Sequence, residues 1–108
     1  MSISDLSQKT LEDLYSTLEK VPTLDWKVLR RWFGSVCSED NVAVIESSIR
    51  PAKTLLDHLC CRGVTLQELV EGLKAIGNNS AVSIVKEGNS HFFFKFLFFF
   101  HYVYVFYV

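Results

Sequence analysis

The chain has no excess of charge of either sign. Eleven lysines and arginines stand against twelve aspartates and glutamates in 108 residues. It has neither the basic surplus that phosphate recognition needs nor an acidic tail, so nucleic acid is not an expected partner. Cysteine is scarce and odd in number, at Cys37, Cys60 and Cys61. Three thiols, two of them adjacent, make no disulfide framework and fit a reduced, cytoplasmic protein. Neither C-x-x-C nor H-x-x-x-H spacing occurs, and a zinc site takes about four such ligands, so no metal or other cofactor is expected. The glycines at 34, 63, 72, 77 and 88 are not spaced as a phosphate loop; four of them fall where helix ends are expected. The opening M-S-I-S-D-L-S-Q-K lacks the charged-then-apolar pattern of a secretory signal. The length suits a single domain.

The most strongly punctuated stretch runs from Arg50 to Gly77. Pro51 suits a first helical position, where its missing N–H costs nothing. Ala52, Leu55, Leu56, Leu59 and Cys60 recur at three- and four-residue spacing, which puts them on one helix face. Gly63 fits a left-handed C-terminal cap. Thr65 and Glu68 form a T-x-x-E capping box, and Leu66, Leu69, Val70, Leu73 and Ile76 make a second stripe that Gly77 closes. Two apolar stripes cannot bury each other alone, so the rest of the chain is expected to supply partner helices.

Upstream, Ile3, Leu6, Leu11, Leu14, Leu18 and Val21 keep a helical period, which predicts one helix from Ile3 to Val21, capped by Ser4 or Thr10 and ended by Pro22. Asp25 is the expected N-cap of a second helix through Phe33, with Trp26, Leu29, Trp32 and Phe33 facing the core and Gly34 stopping it. Ser38-Glu39-Asp40-Asn41 opens a short third helix over Val42, Val44 and Ile45. A strand is the competing reading there, but no second strand exists for it to join. Asn79-Ser80 is expected to cap a sixth helix that carries Ala81, Val82, Ile84 and Val85 to Gly88. The expected core unites Trp26, Leu29, Leu55, Leu59, Leu69 and Leu73.

After Gly88 the composition changes abruptly. From His91 to Val108, fifteen of eighteen residues are apolar or aromatic. A membrane anchor takes about 20 apolar residues, and Lys95 and His101 interrupt this run. A β-strand would have no ladder to join and would invite aggregation. The favoured reading is a translated pyrimidine-rich non-coding stretch, since the codons of Phe, Tyr, Leu and Val are rich in thymine. Residues 3–88 are therefore the expected helical bundle, and 89–108 an aromatic tail outside the fold.

No catalytic constellation emerges. Cys61-Arg62-Gly63 shares C-R-G with the caspase signature Q-A-C-R-G, but Leu59 stands where that signature has glutamine, and no histidine lies upstream of His58. The charges carry more information. Lys27, Arg30 and Arg31 lie at i, i+3 and i+4 and share a face of helix two; Glu68 and Glu71 share one on helix five. Either both faces are simply solvated, or they meet a second molecule, where complementary charge sets orientation.

D-W-K-V-L-R-R-W-F-G on the second of six short helices resembles the death-domain superfamily, in which D-W-x-x-L recurs on helix two. T-L-L-D-H-L-C-C-R-G-V-T-L-Q-E-L-V-E-G-L-K-A-I-G, with the A-I-G-N-N-S-A-V-S-I-V continuation, is most similar to the N-terminal death domain of paracaspases of the mucosa-associated lymphoid tissue lymphoma translocation type. The resemblance covers about residues 3–88 and implies an all-α, six-helix antiparallel death-domain bundle. It further implies a non-enzymatic module in cytoplasmic signalling toward NF-κB or apoptosis, bound to a death-domain or caspase-recruitment-domain adaptor. The partner-binding residues are then Lys27, Arg30, Arg31, Glu68 and Glu71, and the same patches would serve a homo-oligomer. A paracaspase would continue into immunoglobulin-like and protease domains, so this sequence reads as a truncated N-terminus and a competitive inhibitor. The alternative is a small tail-anchored membrane protein with a cytosolic helical head; membrane contact is expected only if the tail is an anchor.

Overall fold

A computed structural model describes residues 1–88, and among them the chain is all-helical. Six α-helices follow a short N-terminal 3-10 turn at Ile3–Asp5: α1 Gln8–Leu18, α2 Asp25–Trp32, α3 Glu39–Glu46, α4 Pro51–Cys61, α5 Leu66–Ala75 and α6 Asn79–Gly88. No strand forms among the described residues. The only pairing of that kind among the described residues is an isolated antiparallel bridge between Ser2 and Thr65. The aromatic tail expected at 89–108 lies outside the described residues.

The first expected helix is two pieces. Ser2 caps the 3-10 turn through a capping box with Asp5, and Leu6 is extended. Ser7 then caps α1, its Oγ accepting from the Thr10 N–H at 3.2 Å. Ser2 and Ser7 thus take the roles expected of Ser4 and Thr10. A serine accepting from the start of a new helix competes with continuing the old one. The apolar period survives the break, since Ile3, Leu6, Leu14 and Leu18 are all buried. The C-terminal end also differs: α1 stops at Leu18, before Pro22, and Val21 is 75 % exposed. Pro22 lies in the connection to α2, behind a cis peptide bond.

Asp25 is the first residue of α2 rather than its cap. Leu24 holds the cap position in a left-handed conformation with φ 44°, and no side chain caps there. The Asp25 carboxylate instead accepts from the Asn78 amide at 2.7 Å. Asn78 Oδ1 accepts from the Ala81 N–H at 2.9 Å, so Asn78, not Asn79-Ser80, caps α6. Around Ser38 the expected short helix forms over eight residues; Ser38 Oγ accepts from Asn41 Nδ2 at 2.7 Å and makes no cap bond.

The α4–α5 hairpin follows its sequence signals closely. Gly63 has φ 81°, and the amides of Gly63 and Val64 return to the carbonyls of Cys60 and Leu59. That is the paired 5→2 and 6→1 pattern of a Schellman end, and Val64 and Leu59 are both buried. Gly77, with φ 77°, ends α5 in the same way through Lys74 and Leu73. At the start of α5 the Glu68 N–H donates to Thr65 Oγ1 and the Thr65 N–H donates to Glu68 Oε1, both at 3.1 Å.

The helices pack around a single apolar core. α1 packs on α6 and α4, α2 on α4, α1 and α5, α3 on α4, and α5 on α6. Leu14, Leu18, Leu29, Leu55, Leu59, Leu69, Leu73 and Val85 are completely enclosed, and Trp26 is buried with them. Arg50 fixes the start of α4 to α1. Its guanidinium bonds Glu12 at 2.5 Å and Glu19 at 3.0 Å and lies over the Tyr15 ring, while Glu19 Oε2 accepts from the Ala52 N–H. Arg50 holds the Glu12 carboxyl below its ordinary value, chiefly through their hydrogen bond, and burial pushes the Tyr15 phenol up.

Candidate interaction surface

Helix α2 is amphipathic with a narrow buried side. Trp26, Leu29 and Phe33 reach the core. At about 100° per residue the opposite arc runs from Arg30 through Lys27 and Arg31 to Val28 and Trp32. The structure separates the three cations expected to act together. Lys27 and Arg31 are exposed, and Lys27 Nζ lies 5.6 Å from the Trp26 ring centroid. Arg30 turns the other way: its side chain is 17 % exposed and its guanidinium lies 3.6 Å from Glu46 on α3. Its Nε is buried without a hydrogen-bond partner. Arg30 is therefore spent on joining α2 to α3, and the basic face available to a second molecule narrows to Lys27 and Arg31.

Trp32 corrects a second expectation. It was placed in the core, yet it is 56 % exposed, and Val28 one turn before it is 40 % exposed. Trp32 was assigned by hydrophobicity, whereas Val28 was not placed in the core. The helical angle sets Val28 about 100° from Leu29 but Trp32 only about 60°, so Trp32 falls at the margin of the buried side and spacing gives only a weak signal for its exposure. Trp32 reaches α5 at Gly72, where an added Cβ would stand 2.9 Å from its Cδ1 and the same distance from Phe33 Cε2.

On α5, Glu68 and Glu71 are both exposed. Glu68 is committed to the capping box, its Oε1 accepting from the N–H and hydroxyl of Thr65. Among the described residues, Glu71 makes no ion pair, and neither do Lys27 and Arg31. The two charged faces thus differ: the α5 carboxylates are half committed, and the two α2 cations are not neutralised.

The other chemically interesting side chains are dispersed. Cys37 is buried, which raises its thiol pKa; Cys60 is half-buried and Cys61 exposed, and all three are free thiols. Cys60 Sγ lies 3.4 Å from Ser2 Oγ, and this contact lowers its pKa. His58 lies 3.3 Å from the Val36 carbonyl, to which Nε2 donates. Among the described residues no three His, Cys, Asp or Glu side chains converge as a metal site, and no helix is long and apolar enough to cross a membrane. Comparison of the chain with family models, curated proteins and solved structures finds no match.

Proposed function

We propose that residues 3–88 are a non-enzymatic protein-interaction module of the death-domain type. Its partner is a death-domain or caspase-recruitment-domain adaptor in cytoplasmic signalling toward NF-κB or apoptosis. Three features support the reading. Six short helices occur in the expected order. The D-W-x-x-L segment opens α2, and the glycine turn with its capping box joins α4 to α5 where the resemblance puts them. The observation that carries it is the pair of outward charged faces on neighbouring helices, Lys27 and Arg31 on α2 and Glu68 and Glu71 on α5. Such faces steer association and select partners more than they add affinity.

The test is a titration of the chain against adaptors bearing each of those domain types, at low and high salt. Binding that weakens with salt, and weakens further on joint Lys27→Glu and Arg31→Glu substitution, is the expected result. Exposed changes of that kind alter stability by about 0.5 kcal/mol or less. Absence of binding to every adaptor of either type would remove the proposal.

A further inference from the structure

Among the described residues, Trp32 is the largest apolar side chain left facing water, and it is held in place. Its indole edge lies against the bare backbone of α5 at Gly72, where an added Cβ would approach Cδ1 to 2.9 Å and Nε1 to 3.1 Å. More than half of the residue, 56 %, remains exposed. Beside it on the same arc come Val28, then Arg31 and Lys27. A short apolar strip therefore borders two cations that no carboxylate of the described residues neutralises.

We infer that the Lys27–Val28–Arg31–Trp32 face of α2 is a docking surface for an amphipathic helix of a partner protein whose apolar stripe is bordered by aspartates or glutamates. This deepens the module reading and rests on it. Tryptophan and arginine dominate the energetically important positions of interfaces. A ring already positioned by α5 loses little freedom when covered. Helices dock on such surfaces through residues at i, i+3, i+4 and i+7, and Val28 and Trp32 are one turn apart.

Charge selects this occupant over the two that the chain itself offers. Residues 89–108 contain no aspartate or glutamate, and Lys95 among them has the same sign of charge as Lys27 and Arg31. A second copy offers little more: its most exposed apolar residues among the described ones, Ile49 and Val21, lie in turns between helices and make no helical stripe. The outward residues of α5 are Gln67, Glu68, Glu71, Lys74 and Ala75, with no large apolar group. α3 exposes Val44 beside Asp40, but its Glu46 is held by Arg30 of the same chain.

The experiment uses the full chain and two synthetic helical peptides with leucines at i, i+3, i+4 and i+7, bordered by glutamates in one and lysines in the other. Indole emission and acrylamide quenching report on Trp32, because Trp26 is buried at 5 % exposure. The glutamate peptide is expected to bind and shield Trp32, and the lysine peptide to do neither. Trp32→Ala should reduce affinity about tenfold or more with its thermal midpoint kept, and Trp32→Phe should keep most of it. Joint Lys27→Glu and Arg31→Glu substitution should reverse the peptide preference. Equal binding of both peptides overturns the assignment. So does a Trp32 already shielded in the free chain at every concentration, which would mean that the tail covers it. Shielding that grows with chain concentration overturns it in favour of a second copy. An adaptor that binds the parent and Trp32→Ala alike sinks this surface while leaving the module reading intact. Loss of adaptor binding with the peptide preference retained does the reverse.

Discussion

Asn78 donates through Nδ2 to Asp25 Oδ2 at 2.7 Å and so joins the start of α6 to the start of α2. The two residues are far apart in sequence and serve different helices. Asp25 places negative charge at the positive end of α2, which is favourable. Asn78 is 8 % exposed and also caps α6 through Oδ1. One buried amide thus satisfies a helix start and a carboxylate together.

Asn78→Ala is accordingly expected to cost about 1–3 kcal/mol, the sum of a lost cap and a lost charge-assisted bond. A double-mutant cycle with Asp25→Ala should show clear coupling between the sites. Additive losses in chemical denaturation would mean that the Asn78–Asp25 contact contributes nothing to stability.

Leu69 is fully enclosed where α5 meets α2 and α6. Leu69→Ala should cost about 2–5 kcal/mol, a large share of the stability of a small domain. A thermal midpoint moved by under about a degree would contradict its place in the core.

Much of this fold was legible because several local signals agreed at the same position. From Pro51 to Gly77, the N1 proline, the apolar spacing, the left-handed glycines and the T-x-x-E box all point to one hairpin, and that hairpin forms. Signals were misread where one residue had two competing uses. Asp25 is a good cap by type, but it reaches Asn78 across the bundle, a contact that no local pattern contains. Ser7 breaks a helix whose apolar period is otherwise continuous, because Ile3 and Leu6 before the break and Leu14 and Leu18 after it are all buried. On the surface, Arg30 shows the same limit. Spacing groups it with Lys27 and Arg31, but tertiary packing turns it to within 3.6 Å of Glu46 on α3. Trp32 was taken for core on hydrophobicity, although its helical angle puts it at the margin of the buried side, where packing against α5 leaves it half exposed.

The α5 cap offers a sharper test of local reading. Thr65→Ala should lose about 1 kcal/mol, whereas Thr65→Ser should be nearly silent, since the oxygen accepts from the Glu68 N–H. Equal losses in both variants would assign the effect to the methyl group.

Gly72 is where α5 receives the end of α2. A methyl group there would stand 2.9 Å from both Phe33 Cε2 and Trp32 Cδ1. Both rings pack against α5 at this point, and Phe33, buried at 7 % exposure, has little room to move aside. Gly72→Ala should therefore cost about 1–3 kcal/mol as overpacking, despite the higher helix propensity of alanine. It should also change the indole emission of Trp32. A stabilised variant with unchanged emission would show that the two helices are not in contact at this point.

Acid should expose the role of Arg50. The hydrogen bond from its guanidinium holds the Glu12 carboxyl below its ordinary value in the folded chain. A carboxyl whose folded pKa is depressed contributes stability that is fully present above its unfolded pKa. That contribution is lost as pH falls through the folded value, because the unfolded chain takes up the proton first. Glu12 is well exposed, so solvent screens the pair and the effect is modest. Arg50→Gln keeps hydrogen-bonding capacity but removes the charge, and should return the Glu12 carboxyl toward its ordinary value. Stability measured by denaturant titration from neutral pH downward is then expected to fall less steeply in the variant. The parent and variant curves should converge once the pH drops below the depressed Glu12 pKa. Parallel curves across the whole acid limb would show that the clamp between α1 and α4 acts through packing on Tyr15 rather than through charge.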